Sequence, residues 1–333
     1  MAGAASVIVV RIPNWLGDTV MALPALGALR TARPAARIMV VGRWAPLLTG
    51  QGVADILLEY PRRGPERLAF ARALRAERPD LAILLVNSLE SALAAWMWRA
   101  PRRLGFDTDG RRPLLSDPIP LPSPRRHQAE EYGVLLAADG VSLPDPTPTW
   151  RRPRASSADG EAETLVRELG AGEPLVGLHL GAAFGPSKLW PTASYGQLAQ
   201  RLRRRGLSPV LLGSVADRAA AERVEAATGF ALPSLVGRDR PALLPALLSR
   251  FSCLVSADTG VAHLAAALGV PTVTLFGPTD AALSAPRAPA ARTVVGKAPC
   301  APCFLTECPI DHTCMRGITP DEVEGEVRAA VAA

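Results

Sequence analysis

Residues 256–280 concentrate side chains able to hold a phosphate and a sugar: Asp258, Thr259, Gly260 and His263, with Thr279 following a second turn. The stretch reads as strand, turn, helix, strand, turn. Residues 253–255 form a short apolar run, Val261, Leu264, Ala265 and Leu268 recur at helical spacing until Gly269, and residues 270–276 read as a buried strand. A helix opening at Asp258-Thr259-Gly260 presents unpaired backbone N–H groups and the positive end of its dipole at the carboxyl edge of a parallel sheet, which suits a phosphate or diphosphate. Gly260 leaves the approach open, Thr259 adds a hydroxyl, and His263 lies one turn on from Thr259. Asp258 suits either of two tasks, capping the helix or accepting from sugar hydroxyls.

A second candidate is the loop Gly181-Ala-Ala-Phe-Gly-Pro-Ser-Lys188-Leu-Trp-Pro, which follows a predicted strand at 175–180. Lys188 and Lys297 are the two lysines of the chain. A lysine where arginine is otherwise the rule points to a site wanting a compact charge, as phosphates do. The third is the loop Pro13-Asn-Trp-Leu-Gly17-Asp18, after a strand beginning at Val7 and before a helix carrying Val20, Leu23, Leu26 and Leu29. It has no Gly-x-Gly-x-x-Gly, so no dinucleotide fingerprint. Asp18 reads either as a helix cap or as a base.

These segments together resemble glycosyltransferase family 9, the lipopolysaccharide heptosyltransferases. The match rests on Asp258-Thr259-Gly260-x-x-His263 with Pro271 and Phe276-Gly277-Pro278-Thr279, on the 181–191 loop, where Ala183 stands at a position that is commonly acidic, and on the Gly17-Asp18 loop. The resemblance covers nearly the whole chain. It implies a GT-B α/β fold, two doubly wound Rossmann-like domains facing a central cleft, and inverting, metal-independent transfer of a heptose-type sugar from an ADP-sugar to a saccharide acceptor such as lipopolysaccharide inner core. Ser187, Lys188, Asp258, Thr259, Gly260 and His263 would bind the donor, Lys188 would stabilise the leaving diphosphate, and Asp18 would be the general base. No cofactor is required, the ADP-sugar being a substrate. A nucleotide-sugar epimerase of the same fold and a non-catalytic sugar-nucleotide binder are the competing readings.

The elements that must position these residues follow an alternating plan. Strands are predicted at 7–11, 37–42, 56–60, 81–86 and 102–105, then at 175–180, 208–212, 234–236, 253–255 and 270–276, with helices between them. Pro24 predicts a kink or a late helix start. The proline-rich segment 144–157 separates an acceptor-binding domain, 1–143, from a donor-binding domain, 158–333, with a cysteine-rich end.

The 333 residues suffice for two cores, and the net charge of +6 is uneven. Residues 1–155 hold 21 arginines and no lysine against 14 acidic residues, and the remainder is nearly balanced. This is either an ordinary arginine-rich surface or a face for an anionic glycolipid acceptor or a membrane; Arg62, Arg63, Arg102, Arg103, Arg125 and Arg126 are the candidate acceptor contacts. Nucleic acid is not an expected partner. The start reads as a strand and not as a signal peptide, and no apolar run is long enough to span a bilayer, so the expected location is cytoplasmic, with peripheral contact at the inner membrane face.

Cys300-x-x-Cys303-x4-Cys308-x5-Cys314 is either a thiolate metal site or free thiols packing a loop. Asp107-Thr108-Asp109, beside Gly110, is read as turn chemistry and not as a metal site.

Overall fold

The computed structural model describes residues 6–152, 156–238 and 240–332. Residues 153–155, part of the expected linker, lie outside that set. The chain divides into two compact units, Met1–Trp150 and Arg151–Ala333, a division that falls inside the 144–157 segment.

In the first unit, β1 (Val7–Arg11), α1 (Leu16–Met21), α2 (Leu23–Ala32), β2 (Arg37–Val41), β3 (Ile56–Leu58), α3 (Gly64–Ala76), β4 (Leu81–Leu84), α4 (Leu89–Met97), β5 (Arg102–Phe106), β6 (Asp117–Ile119) and α5 (Gln128–Ala138) follow one another. Every strand pairing is parallel, in the order β3-β2-β1-β4-β5-β6. The central strands read as continuous apolar runs because helices cover both faces; Leu81, Ala82, Ile83 and Leu84 are all buried. Pro24 marks the start of α2 after a break at Ala22, where its missing N–H costs nothing. The unexpected strand is β6. Its Pro118 suggests irregular chain, but β6 is a sheet edge, where one donor can be spared.

The second unit contains α6 (Ser157–Glu168), β7 (Leu175–His179), α7 (Thr192–Arg204), β8 (Ser208–Leu212), α8 (Arg218–Thr228), α9 (Leu244–Leu248), β9 (Cys253–Ala257), α10 (Gly260–Ala267), β10 (Thr272–Phe276), α11 (Ala281–Ser284), β11 (Ala291–Val295), α12 (Thr313–Arg316) and α13 (Pro320–Val331). Its sheet is parallel, ordered β11-β10-β9-β7-β8. Residues 234–236 are not a strand; Ser234 makes an isolated bridge to Leu211. The fifth strand is β11, an edge strand too exposed to show an apolar run. Thr319 and Glu322 cap α13 reciprocally, and its Val323, Val327 and Ala330 enter the core with Trp190, Tyr195 and Leu198.

Strand order reverses between β1 and β4 in the first sheet and between β7 and β9 in the second. The carboxyl ends of those strand pairs are where doubly wound sheets bind ligands. Among the described residues, no helix is long and apolar enough to cross a membrane.

Candidate functional site

The reversal in the second sheet brings together the two segments singled out in the sequence. The 181–191 loop leaves β7 and the Asp258 turn leaves β9, and β7 and β9 are hydrogen-bonded neighbours with His179 opposite Ser256. The Lys188 Nζ donates to Asp258 Oδ2 at 2.5 Å and to the Asp258 carbonyl at 3.1 Å, and lies 4.7 Å from the centre of the Phe184 ring. Thr279, in the turn after β10, donates its hydroxyl to the same carboxylate at 2.8 Å. His263 Nε2 is 4.0 Å from the other carboxylate oxygen. Lys188, Asp258, Thr279 and His263 are all buried.

Asp258 is therefore not a helix cap. α10 begins at Gly260 with Thr259 at its N-cap and no side-chain cap bond. The helix end keeps its amide donors unclaimed by a side chain, while the carboxylate holds the lysine. Thr259 is positioned from below: its hydroxyl lies 2.9 Å from Ser256 Oγ, which lies 3.2 Å from His179 Nδ1. Burial pushes the His179 imidazole down to about 4 against a weaker upward pull from Asp217, so it is neutral at pH 7. His179 reads as strand interior and Ser256 as the residue after the 253–255 strand; only the parallel register places them together behind Thr259.

Ser187, expected to bind the donor, is held by the chain's C-terminal segment. Its hydroxyl donates to the Leu305 carbonyl at 2.6 Å and its amide to the Thr306 carbonyl at 3.0 Å, while His312 bonds the Ser187 carbonyl. Gly185 has φ +151°, and a Cβ there would meet the Thr306 carbonyl oxygen at 2.4 Å, so glycine is required. The cysteine-bearing end thus clamps the lysine loop. Cys303 and Phe304 donate to the Pro278 carbonyl, and Gly277 lies where a Cβ would meet the Met315 and Cys314 sulfurs. All the cysteines are free thiols, and among the described residues no group of three or more His, Cys, Asp or Glu side chains is arranged to hold a metal.

In the first unit, Asp18 lies half-buried in the first turn of α1, whose N-cap is Trp15. Asp18 is therefore not itself the N-cap residue. It lies close to Tyr132 of α5, whose phenol is pushed well up by burial first and by the Asp18 carboxylate second. Leu16 beside it is buried and Trp15 is 52% exposed. The loop is held by Arg11 at the end of β1. This fully buried guanidinium donates to the Ile12 carbonyl and to Asn14 Oδ1 and stacks 4.1 Å from the Tyr60 ring; burial lowers its pKa.

A second buried guanidinium, Arg111, fixes the loop after β4 by donating to the Val86 and Phe106 carbonyls and to Asn87 and Ser91. Burial pushes its pKa down to about 10. Neither arginine was singled out, because burial cannot be seen in a sequence so rich in arginine.

The six arginines expected to contact the acceptor do not form one group. Arg102 and Arg103 begin β5, at the amino edge of the sheet, opposite the edge that carries Asp18. Arg102 pairs with Asp139 and Asp117, and Arg103 satisfies the Leu114 and Ala100 carbonyls. Arg125 clamps the buried Glu131 with two bonds. Arg62, Arg63 and Arg126 follow strands at the carboxyl edge, are exposed, and have no ion pair among the described residues. Asp107 pairs with Arg112, and Asp109 accepts from the Leu89 amide at the start of α4, which is turn and capping chemistry.

Two doubly wound parallel sheets, the second with a lysine and a free helix end at its switch point, follow the GT-B plan. The family model for glycosyltransferase family 9 (heptosyltransferase) matches residues 67–314. The chain belongs to glycosyltransferase family 9 and is a glycosyltransferase. It is 32% identical over 301 residues to lipopolysaccharide heptosyltransferase 2 of Salmonella typhimurium, covering 85% of this chain and 86% of that one. It is 30% identical to lipopolysaccharide heptosyltransferase 1 of Pseudomonas aeruginosa, with coverage of 90% and 86%. Among solved structures, the ADP-heptose lipopolysaccharide heptosyltransferase II of Escherichia coli matches with a TM-score of 0.78 at 28% identity over 98% of both chains. A family 9 glycosyltransferase from Veillonella parvula shares the fold at a TM-score of 0.82 and 22% identity, covering 100% and 99%.

Proposed function

We propose that this chain moves a heptose from ADP-heptose to a saccharide acceptor of the lipopolysaccharide inner-core type, with inversion and without a metal. The observation that carries the reading is the buried Lys188–Asp258–Thr279 constellation beside the free N-terminus of α10, in a chain so similar to lipopolysaccharide heptosyltransferases. Glycosyl transfer builds positive charge on the anomeric carbon and negative charge on the departing diphosphate, so the leaving group makes the largest electrostatic demand. Lys188 and the amides of Thr259 and Gly260 meet that demand. Asp258 holds the ammonium in place using two of its three donors. Asp18 takes the proton of the acceptor hydroxyl, whose oxygen attacks the anomeric carbon as ADP leaves with the bonding pair. The acceptor is an anionic glycolipid, and the enzyme works at the inner face of a membrane.

The test is incubation with ADP-heptose and a heptose-deficient core oligosaccharide. Acceptor mass should rise by one heptose with one ADP released, and the rate should survive EDTA. Epimerised donor without transfer, or binding alone, would overturn the reading. So would a rate abolished by EDTA and restored by magnesium, which would return attention to Asp107 and Asp109. ADP should also raise the melting temperature, by about 2.7 kcal/mol of stabilisation at 100 times its Kd.

A further inference from the structure

α4 is apolar on both of its sides. Ala92, Ala95 and Trp98 enter the core of the first unit, as a helix laid on a sheet requires. Leu89, Leu93 and Trp96, spaced four and three residues apart, form a stripe that points away from that core and is 46%, 44% and 55% exposed. Leu68 of the adjacent α3 is 44% exposed and continues the patch. Isolated exposed leucines need no explanation, but a contiguous group including a tryptophan does.

The rim of this patch is basic. Arg72 and Arg75 follow Leu68 by one and two turns of α3, and together with Arg99 they line a groove shared with Leu68 and Trp96. Arg72, Arg75 and Arg99 have no ion pair among the described residues. Of the acidic groups on these helices, Glu90 is engaged by Tyr60 and Arg67, and Glu66 lies in the first turn of α3, ahead of the groove. An apolar stripe tipped by tryptophan and edged with unpaired arginines matches an interface that is anionic at its surface and apolar beneath it. A second copy of the chain fits less well, because an isologous contact would set this basic rim against itself.

We propose that the α3–α4 face of the first unit docks the enzyme on an anionic lipid bilayer, with Leu89, Leu93 and Trp96 seated among the headgroups and Arg72, Arg75 and Arg99 on their charges. This inference rests on the reading that the enzyme works at a membrane face and names the surface that meets it; it does not depend on which sugar is transferred.

The experiment is co-sedimentation of the full-length protein, without substrate, with phosphatidylcholine vesicles that contain or lack phosphatidylglycerol. Binding is expected to the anionic vesicles only and to weaken as salt rises. The paired exposed substitutions Leu93→Asp with Trp96→Asp, and separately Arg72→Glu with Arg75→Glu, should each lower binding about tenfold or more. Both variants should keep the parent's melting temperature and its turnover of a short soluble acceptor. Equal binding to both vesicle types, unchanged binding by the variants, or a stable dimer that Trp96→Asp dissociates in place of vesicle binding would overturn the proposal. Failure of heptosyl transfer alone leaves vesicle binding unmoved, so the two readings fail separately.

Discussion

The two switch points solve the same topological problem with opposite distributions of polar groups. In the second unit the proposed functional groups are themselves wired together: Lys188 to Asp258, Asp258 to Thr279, and Thr259 through Ser256 to His179. In the first unit the buried bonds belong to the frame. Arg11 and Arg111 spend their guanidiniums on carbonyls and amide side chains of the loops after β1 and β4, and Asp18 stands half-buried at the start of α1. One half is organised for a fixed charge pattern, as a diphosphate presents. The other offers a rigid edge for Asp18, whose proposed role as base requires it to change protonation state during turnover.

The largest effect should come from the first unit. Asp18→Asn keeps the size and polarity of a first-turn residue but cannot accept a proton. We expect donor affinity and melting temperature near the parent's and kcat lowered by about 10²–10⁴. Turnover at the parental rate would reduce Asp18 to a residue that favours the helix dipole and would erase the functional half of the comparison.

Lys188→Ala should behave differently because its partner is buried. Loss of the charge at the leaving group should lower kcat by about 10²–10³. Leaving the 7%-exposed Asp258 without its counter-ion should also destabilise the fold by roughly 3–5 kcal/mol. Adding Asp258→Asn should recover part of the stability and none of the rate. A single Lys188→Ala variant as stable as the parent would mean that the pair is not preorganised.

How much of this was legible without coordinates depended on where the information lies. Short apolar runs broken by Gly and Pro mark the interior strands β1, β4, β7 and β9, because burial on both faces leaves few other residue types possible. The edge strands β6 and β11 escape such a reading for the complementary reason, since an edge strand need not be apolar and can carry Pro118, while residues 234–236 form only an isolated bridge to β8. Lys188 and Asp258 were visible as motif residues. Their mutual bond was not, and neither was the clamp of 305–312 on Ser187, because both depend on contacts between positions 70 or more residues apart.

His179 offers a test with an intermediate effect. Its folded pKa, about 4, lies below the ordinary value near 6.5, so between those pH values the unfolded chain binds more protons than the folded one. Stability conferred by the neutral ring is complete above about pH 6.5 and is lost as pH falls towards 4, by an amount on the order of 3 kcal/mol. Melting curves of the parent and His179→Gln should diverge in slope over that window, with the variant the less sensitive to acid. Parallel curves would show that His179 is not held neutral behind Ser256 and would loosen the wired half of the comparison.

The smallest effects should separate the arginines by sheet edge. Arg62, Arg63 and Arg126 are exposed at the carboxyl edge with no ion pair among the described residues, whereas Arg102 is tied to Asp139 and Asp117 at the amino edge. An exposed contact between an arginine and an anionic group is weak and salt-screened, so each single alanine substitution at the first three should raise the acceptor KM by no more than about fivefold. Donor KM should stay unchanged, and the difference from the parent should shrink as salt is added. Arg102→Ala should leave both KM values alone and lower the melting temperature slightly, because the half-exposed guanidinium bridges two carboxylates of its own unit. If Arg102→Ala raises the acceptor KM as much as Arg62→Ala does, the acceptor is not confined to the edge that carries Asp18, and position along the strand is no guide to which arginines it meets.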